Sequence, residues 1–139
     1  MNEIKALAIL FTKRNKAANP LEISEAAKEL WQIYGSYKEA SKQVPISEAT
    51  LRKWGMLHNA PPGVKAYVRE GKLYPTIAFR IMAVFCYEDQ TEVAQAVLGW
   101  GLPETERLIK YKLQHPFWTI DQCKTEVING AIVELILRG

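Results

Sequence analysis

Apolar residues recur at steps of three and four along most of this chain, the spacing of helices that each bury one face. Between Leu21 and Tyr34 the apolar positions are Ile23, Ala26, Ala27, Leu30, Ile33 and Tyr34, and Gly35 follows as a C-terminal cap. Ser36 can accept from the free N–H groups of the next turn, which predicts a short helix to about Val44, broken by Pro45-Ile46. Ser47 caps the following helix, to His58, where Leu51, Trp54 and Leu57 form the inward stripe while Glu48, Thr50, Arg52 and Lys53 face elsewhere. Pro61-Pro62 begins a helix that runs to about Glu70 and is closed by Gly71. Further helices are predicted over 75–86, 89–99 and 103–114, and no strand-like alternation interrupts them.

The ends are less regular. Ile4, Leu7, Ala8 and Phe11 fit a short helix, and Lys13, Arg14 and Lys16, leading to Pro20, read either as a mobile basic arm or as a frayed terminus. From Thr119 to Leu137, Ile120, Cys123, Val127, Ala131 and Leu135 keep helical spacing, but Asn129-Gly130 is also a hairpin turn signal. Helix is the favoured reading of the two. The expected fold is therefore an all-α, multi-helix domain containing a helix-turn-helix. It has three parts: an N-terminal helix and arm (1–18), the body (19–115) and a C-terminal helix or hairpin (116–139) suited to dimerisation.

Composition fits this reading. A chain of 139 residues suits one domain, and 48% hydrophobic with 24% charged residues excludes disordered and fibrous classes. No stretch approaches the ~18 apolar residues of a membrane span, and Ala6 to Phe11 lacks a secretory cleavage pattern, so a cytoplasmic protein is expected. Cys86 and Cys123 sit outside any metal-binding spacing and are expected to be reduced core residues. His58 and His115 lack a second ligand at helical or loop spacing. With no paired carboxylates, nucleophile-histidine arrangement or glycine-rich phosphate loop, neither an enzyme nor a cofactor, metal or small-molecule substrate is expected.

Charge is unevenly spread. Residues 36–72 hold seven bases and three acids, a net +4, whereas residues 88–139 hold five bases and eight acids, a net −3. A basic segment beside an acidic one suits a phosphate-facing surface on a soluble body, and equally an uneven solvated one. Within the basic segment, two short helices joined by a three or four residue turn match the pattern for major-groove entry. The second helix must present hydrogen-bonding side chains to base edges, and Glu48, Thr50, Arg52 and Lys53 supply them, with Ala49 small enough to touch a thymine methyl. Ser36, Tyr37 and Lys38 open the first helix, where side chains and free N–H groups can meet a phosphate. The ordinary alternatives stand beside these roles. Glu48 is also a helix N-terminal acid favoured by the macrodipole, Tyr37 is equally a packing residue, and Arg52 and Lys53 are also what solvated bases look like. Trp54 has the phase of a core residue holding its helix against helix 21–34, and core packing is the default for Trp100, Phe117 and Trp118.

A more specific pattern surrounds these residues. Asn19-Pro20-Leu21-Glu22 precedes an amphipathic helix, followed by Ser47-Glu48-Ala49-Thr50-Leu51, Pro61, Val64, Gly71-Lys72-Leu73 and Ala78, then Gly101-Leu102 and Glu104-Thr105-Glu106-Arg107-Leu108. In that order, over residues 19–112, the chain resembles the central DNA-binding domain of ParB-like partition proteins. The resemblance implies a helical domain that binds double-stranded DNA through its helix-turn-helix, commonly as a homodimer on an inverted repeat, in plasmid or chromosome partition or in transcriptional control. Three family features depart here, the first being that the segment after Pro116 is too short for the family's separate C-terminal dimerisation domain, although its apolar stripe could pair with a second copy. No arginine-rich nucleotide-binding motif precedes Asn19, so no nucleotide hydrolysis is carried over. The family's glycine-lysine-serine turn is here Pro45-Ile46-Ser47, which keeps only the serine. The expected function is sequence-specific DNA binding by Ser36, Tyr37, Lys38, Ser47, Glu48, Ala49, Thr50, Arg52 and Lys53. The alternative is a non-catalytic adaptor with weak or no DNA contact, which the altered turn favours.

Overall fold

Side-chain caps or prolines mark most helix starts among the described residues. The computed structural model describes residues 1–11 and 19–138, and among them it has nine helices and no strand. They are α1 (Glu3–Phe11), α2 (Pro20–Tyr34), α3 (Tyr37–Ser41), α4 (Glu48–His58), α5 (Pro62–Arg69), α6 (Pro75–Val84), α7 (Tyr87–Ala96), α8 (Leu102–Gln114) and α9 (Ile120–Arg138). Before α2 the Asn19 side chain accepts from the Leu21 N–H at 2.9 Å, and Pro20 occupies the first helical position, where a missing N–H costs nothing. Gly35 ends α2 in the left-handed conformation, φ 83°, with its N–H on the Trp31 carbonyl. The predicted basic arm Lys13, Arg14 and Lys16 lies outside the described residues.

The differences from expectation are local. The first motif helix stops at Ser41 rather than Val44, because the Lys42 and Gln43 N–H groups reach back three residues to Glu39 and Ala40 and tighten the last turn ahead of Pro45. The connection to α4 is consequently six residues, 42–47, longer than the three or four expected. The hairpin alternative near the C-terminus is excluded. α9 runs unbroken through Asn129-Gly130, and the positive φ that such a turn needs occurs, among the described residues, only at Gly35, Gly71 and Gly99.

Side chains from these helices form two hydrophobic clusters. One joins Ala6 and Leu10 of α1, Ala26, Ala27 and Leu30 of α2, Ala40, Val44 and Leu51. The other runs from Leu57 through α5, α6, α7 and α8 to Cys123 and Val127 of α9. α4 belongs to both. Leu51 lies in the first cluster and Leu57 in the second, both fully buried, and the half-buried Trp54 packs against each, meeting Phe79 edge-on at 5.0 Å. Trp54 thus reaches α6 as well as the α2 side anticipated for it. At roughly 1.5–3 kcal/mol for each fully buried leucine, these contacts fix which face of α4 remains outside.

Four burial expectations need correction. Ile33 is exposed although it is in phase with the buried Ala26 and Leu30, because it lies in the last turn of α2, past the last buried residue of that stripe. Tyr34 is half-buried, its hydroxyl donating to the Glu3 carboxylate. Cys86 is exposed, its thiol donating to Asp89 at 3.1 Å at the start of α7, whereas Cys123 is buried. Phe117 is wholly exposed between α8 and α9, while Trp100 and Trp118 lie half-buried against the larger cluster. No helix among the described residues is long and apolar enough to cross a membrane.

Because α4 ties the clusters together, the two halves are expected to unfold as one unit. Leu51→Ala and Leu57→Ala, one in each cluster, should each destabilise the chain by about 2–5 kcal/mol and leave a single transition in urea. Tryptophan fluorescence and far-ultraviolet circular dichroism should give coincident midpoints. Two separated transitions would show that α4 does not couple the clusters.

Candidate nucleic-acid interface

The outer face of α4 is defined by what its inner face buries. With Leu51, Gly55 and Leu57 buried, Ala49, Arg52, Lys53 and Met56 recur at three and four residue steps on the exposed side. Ser47 starts the helix. Its hydroxyl oxygen accepts from the Thr50 N–H at 3.2 Å, and its hydrogen is donated to Thr50 Oγ1 at 3.0 Å, so the Ser47 donor is engaged while Thr50 keeps a donor of its own. Ser36 is occupied in the same way, accepting from the Glu39 N–H at 3.1 Å at the start of α3.

Tyr37 is placed between the two helices. Its ring lies so close over Gly55 that a Cβ there would fall 1.9 Å from the hydroxyl oxygen and 2.6 Å from Cζ. A mid-helix glycine, ordinarily unfavourable by ~1 kcal/mol relative to alanine, therefore admits the tyrosine that seats α3 on α4. Burial pushes the Tyr37 phenol above its usual pKa, with Arg52 pulling the other way. The packing alternative weighed for Tyr37 describes its position. Its ring carries the Arg52 guanidinium on one side, 5.8 Å from the centroid, and stacks with Trp31 of α2 at 6.1 Å and 28°. Lys28 lies over the far end of this row, 4.3 Å from the Trp31 ring. Lys28, Trp31, Tyr37 and Arg52 thus form a cation–aromatic–aromatic–cation row across three helices.

The ionic contacts sort the cations into two kinds. Arg52 donates to Glu48 at 2.7 Å one turn away, and Lys42 pairs with Glu39 at 3.0 Å, both pairs lying open to solvent with Glu48 half-buried. Such pairs contribute only ~0.3–0.5 kcal/mol and exchange readily for another anion. Lys38 and Lys53 are exposed and carry no ion pair among the described residues. Lys65 is committed elsewhere, its ammonium donating to the His58 carbonyl at 3.2 Å, where a cation meets the negative end of α4.

All nine sequence-predicted site residues lie on α3, α4 or their N-caps, with Lys38, Ser47, Ala49, Thr50, Arg52 and Lys53 exposed and Ser36, Tyr37 and Glu48 half-buried. Lys28 and Trp31 were not anticipated. Their signal was a tryptophan one residue out of phase with the buried Ala27 and Leu30, three residues after a lysine. No protein-family model, curated protein or solved structure matches this chain.

The Tyr37–Gly55 contact has a measurable sign. Gly55→Ala should destabilise by about 1–3 kcal/mol despite the better helix propensity, because the ring must be displaced. In a Tyr37→Ala background the same change should stabilise by about 1 kcal/mol. Urea denaturation of the four proteins reads both signs, and an alanine that stabilises in both backgrounds would contradict the contact. Since the Tyr37 pKa is raised, its contribution to stability should be intact below the unfolded tyrosine pKa of ~10 and decline as pH rises through the folded value.

Proposed function

We propose that this chain binds double-stranded DNA sequence-specifically, with α3 and α4 acting as a helix-turn-helix and the outer face of α4 entering the major groove. The observation that carries the reading is the outer face itself. Its first two turns hold the exposed small and cationic residues Ala49, Arg52 and Lys53, with the exposed hydroxyl of Thr50 on its flank, on a helix whose other side is fixed in both hydrophobic clusters. Arg52 and Lys53 suit guanine edges, Thr50 donates, and Ala49 admits close approach. Lys38, Lys42 and the Ser36 end of α3 supply phosphate contacts that fix register without reading sequence. The resemblance of residues 19–112 to ParB-like proteins supports a role in DNA partition or transcriptional control, which we propose without a catalytic step.

Glu48 limits the affinity. In the free protein it occupies the Arg52 guanidinium, so base contact by Arg52 requires that pair to open. The same observation favours a second reading, a protein-interaction adaptor, because Glu48 and Glu39 neutralise two of the four cations on α3, α4 and their connection. The readings separate in a gel shift on random duplex across a salt series. DNA binding predicts retardation that weakens steeply with salt, Lys38→Ala lowering affinity for every sequence and reducing the log–log slope by about 1. Glu48→Ala should tighten binding to every sequence by releasing Arg52 and removing an acid from the phosphate side. An adaptor predicts no salt-dependent retardation in any of these proteins.

A further inference from the structure

Lys28 and Trp31 belong to α2, outside the helix-turn-helix, yet they form the far end of the row that carries Arg52. α2 separates its charges between two edges. At about 100° per residue, Trp31 lies ~60° from Lys28 on one side, toward Tyr37 of α3, and Glu22, Glu25 and Glu29 lie ~60–120° away on the other. Glu25 faces the chain's own N-terminal ammonium at 3.9 Å. The Lys28 ammonium instead lies over the Trp31 ring at 4.3 Å and makes no ion pair among the described residues. Lys28 is half-buried and Trp31 is 37% exposed, so the pair is held in place and still open to solvent.

The stack fixes where this charge sits. A lysine on a free four-carbon stem samples many positions, whereas an ammonium seated on an indole face is placed by the ring. That ring is placed in turn by Tyr37, which lies over Gly55 of α4. The charge of Lys28 is thereby tied to the helix that carries Arg52. From Lys28 to Arg52 the row spans at most on the order of 15 Å, comparable with the ~12 Å width of a major groove. With Arg52 against base edges, a cation at that reach meets the sugar–phosphate wall and not the bases. We infer, on the DNA reading of α3 and α4, that Lys28 seated on Trp31 contacts a backbone phosphate bordering the groove that α4 enters. α2 thus adds a third helix to the interface. The contact neutralises one phosphate and carries no base information, so it contributes affinity and register to every site alike.

Fluorescence anisotropy of the full chain on a labelled random-sequence duplex, across a salt series, tests it. Lys28→Ala should lower affinity on the order of tenfold at about 0.1 M salt and reduce the log–log salt slope by about 0.9, the share of one phosphate. Lys28→Arg, which keeps the charge, should retain the wild-type affinity and slope. Lys124→Ala removes the same charge from another cation–aromatic pair, over Trp100 of the α8–α9 side at 5.7 Å, and should leave both unchanged. The circular dichroism spectrum should be the same in all four proteins. Lys28→Ala that binds as the wild type does, or that loses no more than Lys124→Ala, overturns the inference and leaves the DNA reading standing. A wild-type chain without salt-dependent binding overturns the DNA reading and the inference together.

Discussion

The arrangement rests on α4 being held in two hydrophobic clusters at once. Leu51 sits among α1 and α2, Leu57 among α5 to α9, and the half-buried Trp54 touches both. A surface helix is usually anchored along one stripe to one core, and its rotation about its own axis is set by that stripe alone. Here three inward residues in two turns are each fixed against different partners, so neither rotation nor sliding is free. The exposed row from Ala49 to Met56 is a consequence of that double anchorage, not of preferences among the exposed residues themselves.

The short α3 depends on the same helix. Five residues make too little helix to persist unaided, and α3 is held by the Ser36 cap and by Tyr37 lying over Gly55. The tyrosine also links the outer surface to α2, since its ring carries Arg52 and stacks with Trp31. Arg52 therefore has two neighbours with opposite effects. The aromatic row holds its guanidinium near the surface, while Glu48 holds its charge. A partner that offers a better anion or base edge gains the arginine in place and displaces only a weak exposed pair.

Much of the fold was legible in the sequence because amphipathic spacing and caps are local. Asn19-Pro20, Gly35, Ser36 and Ser47 each mark a boundary within one residue of the observed one. What stayed hidden was partly local hydrogen bonding that spacing does not report and partly contact with neighbours distant in the chain. The early end of α3 follows from its tightened last turn, Ile33 is exposed because the burial of α2 ends at Leu30, and Cys86 is exposed at the start of α7. Asn129-Gly130 is a turn signal in isolation, and no dipeptide reports that Ile120, Cys123 and Val127 already hold that helix on the body. The site was legible to a similar degree. The outer residues of α4 follow from its period, whereas the Tyr37–Gly55 contact, the Glu48–Arg52 pair and the row through Lys28 and Trp31 join residues whose approach the pattern does not specify.

Selection of bound sequences from a random duplex pool tests the central claim most directly, because it asks whether the anchored outer face of α4 reads bases at all. The wild-type protein should enrich a defined motif, and Arg52→Ala should lose discrimination at one position of that motif while retaining the rest. A pool that stays random after repeated rounds, or a motif unchanged by replacing Arg52 and Lys53 together, would contradict it.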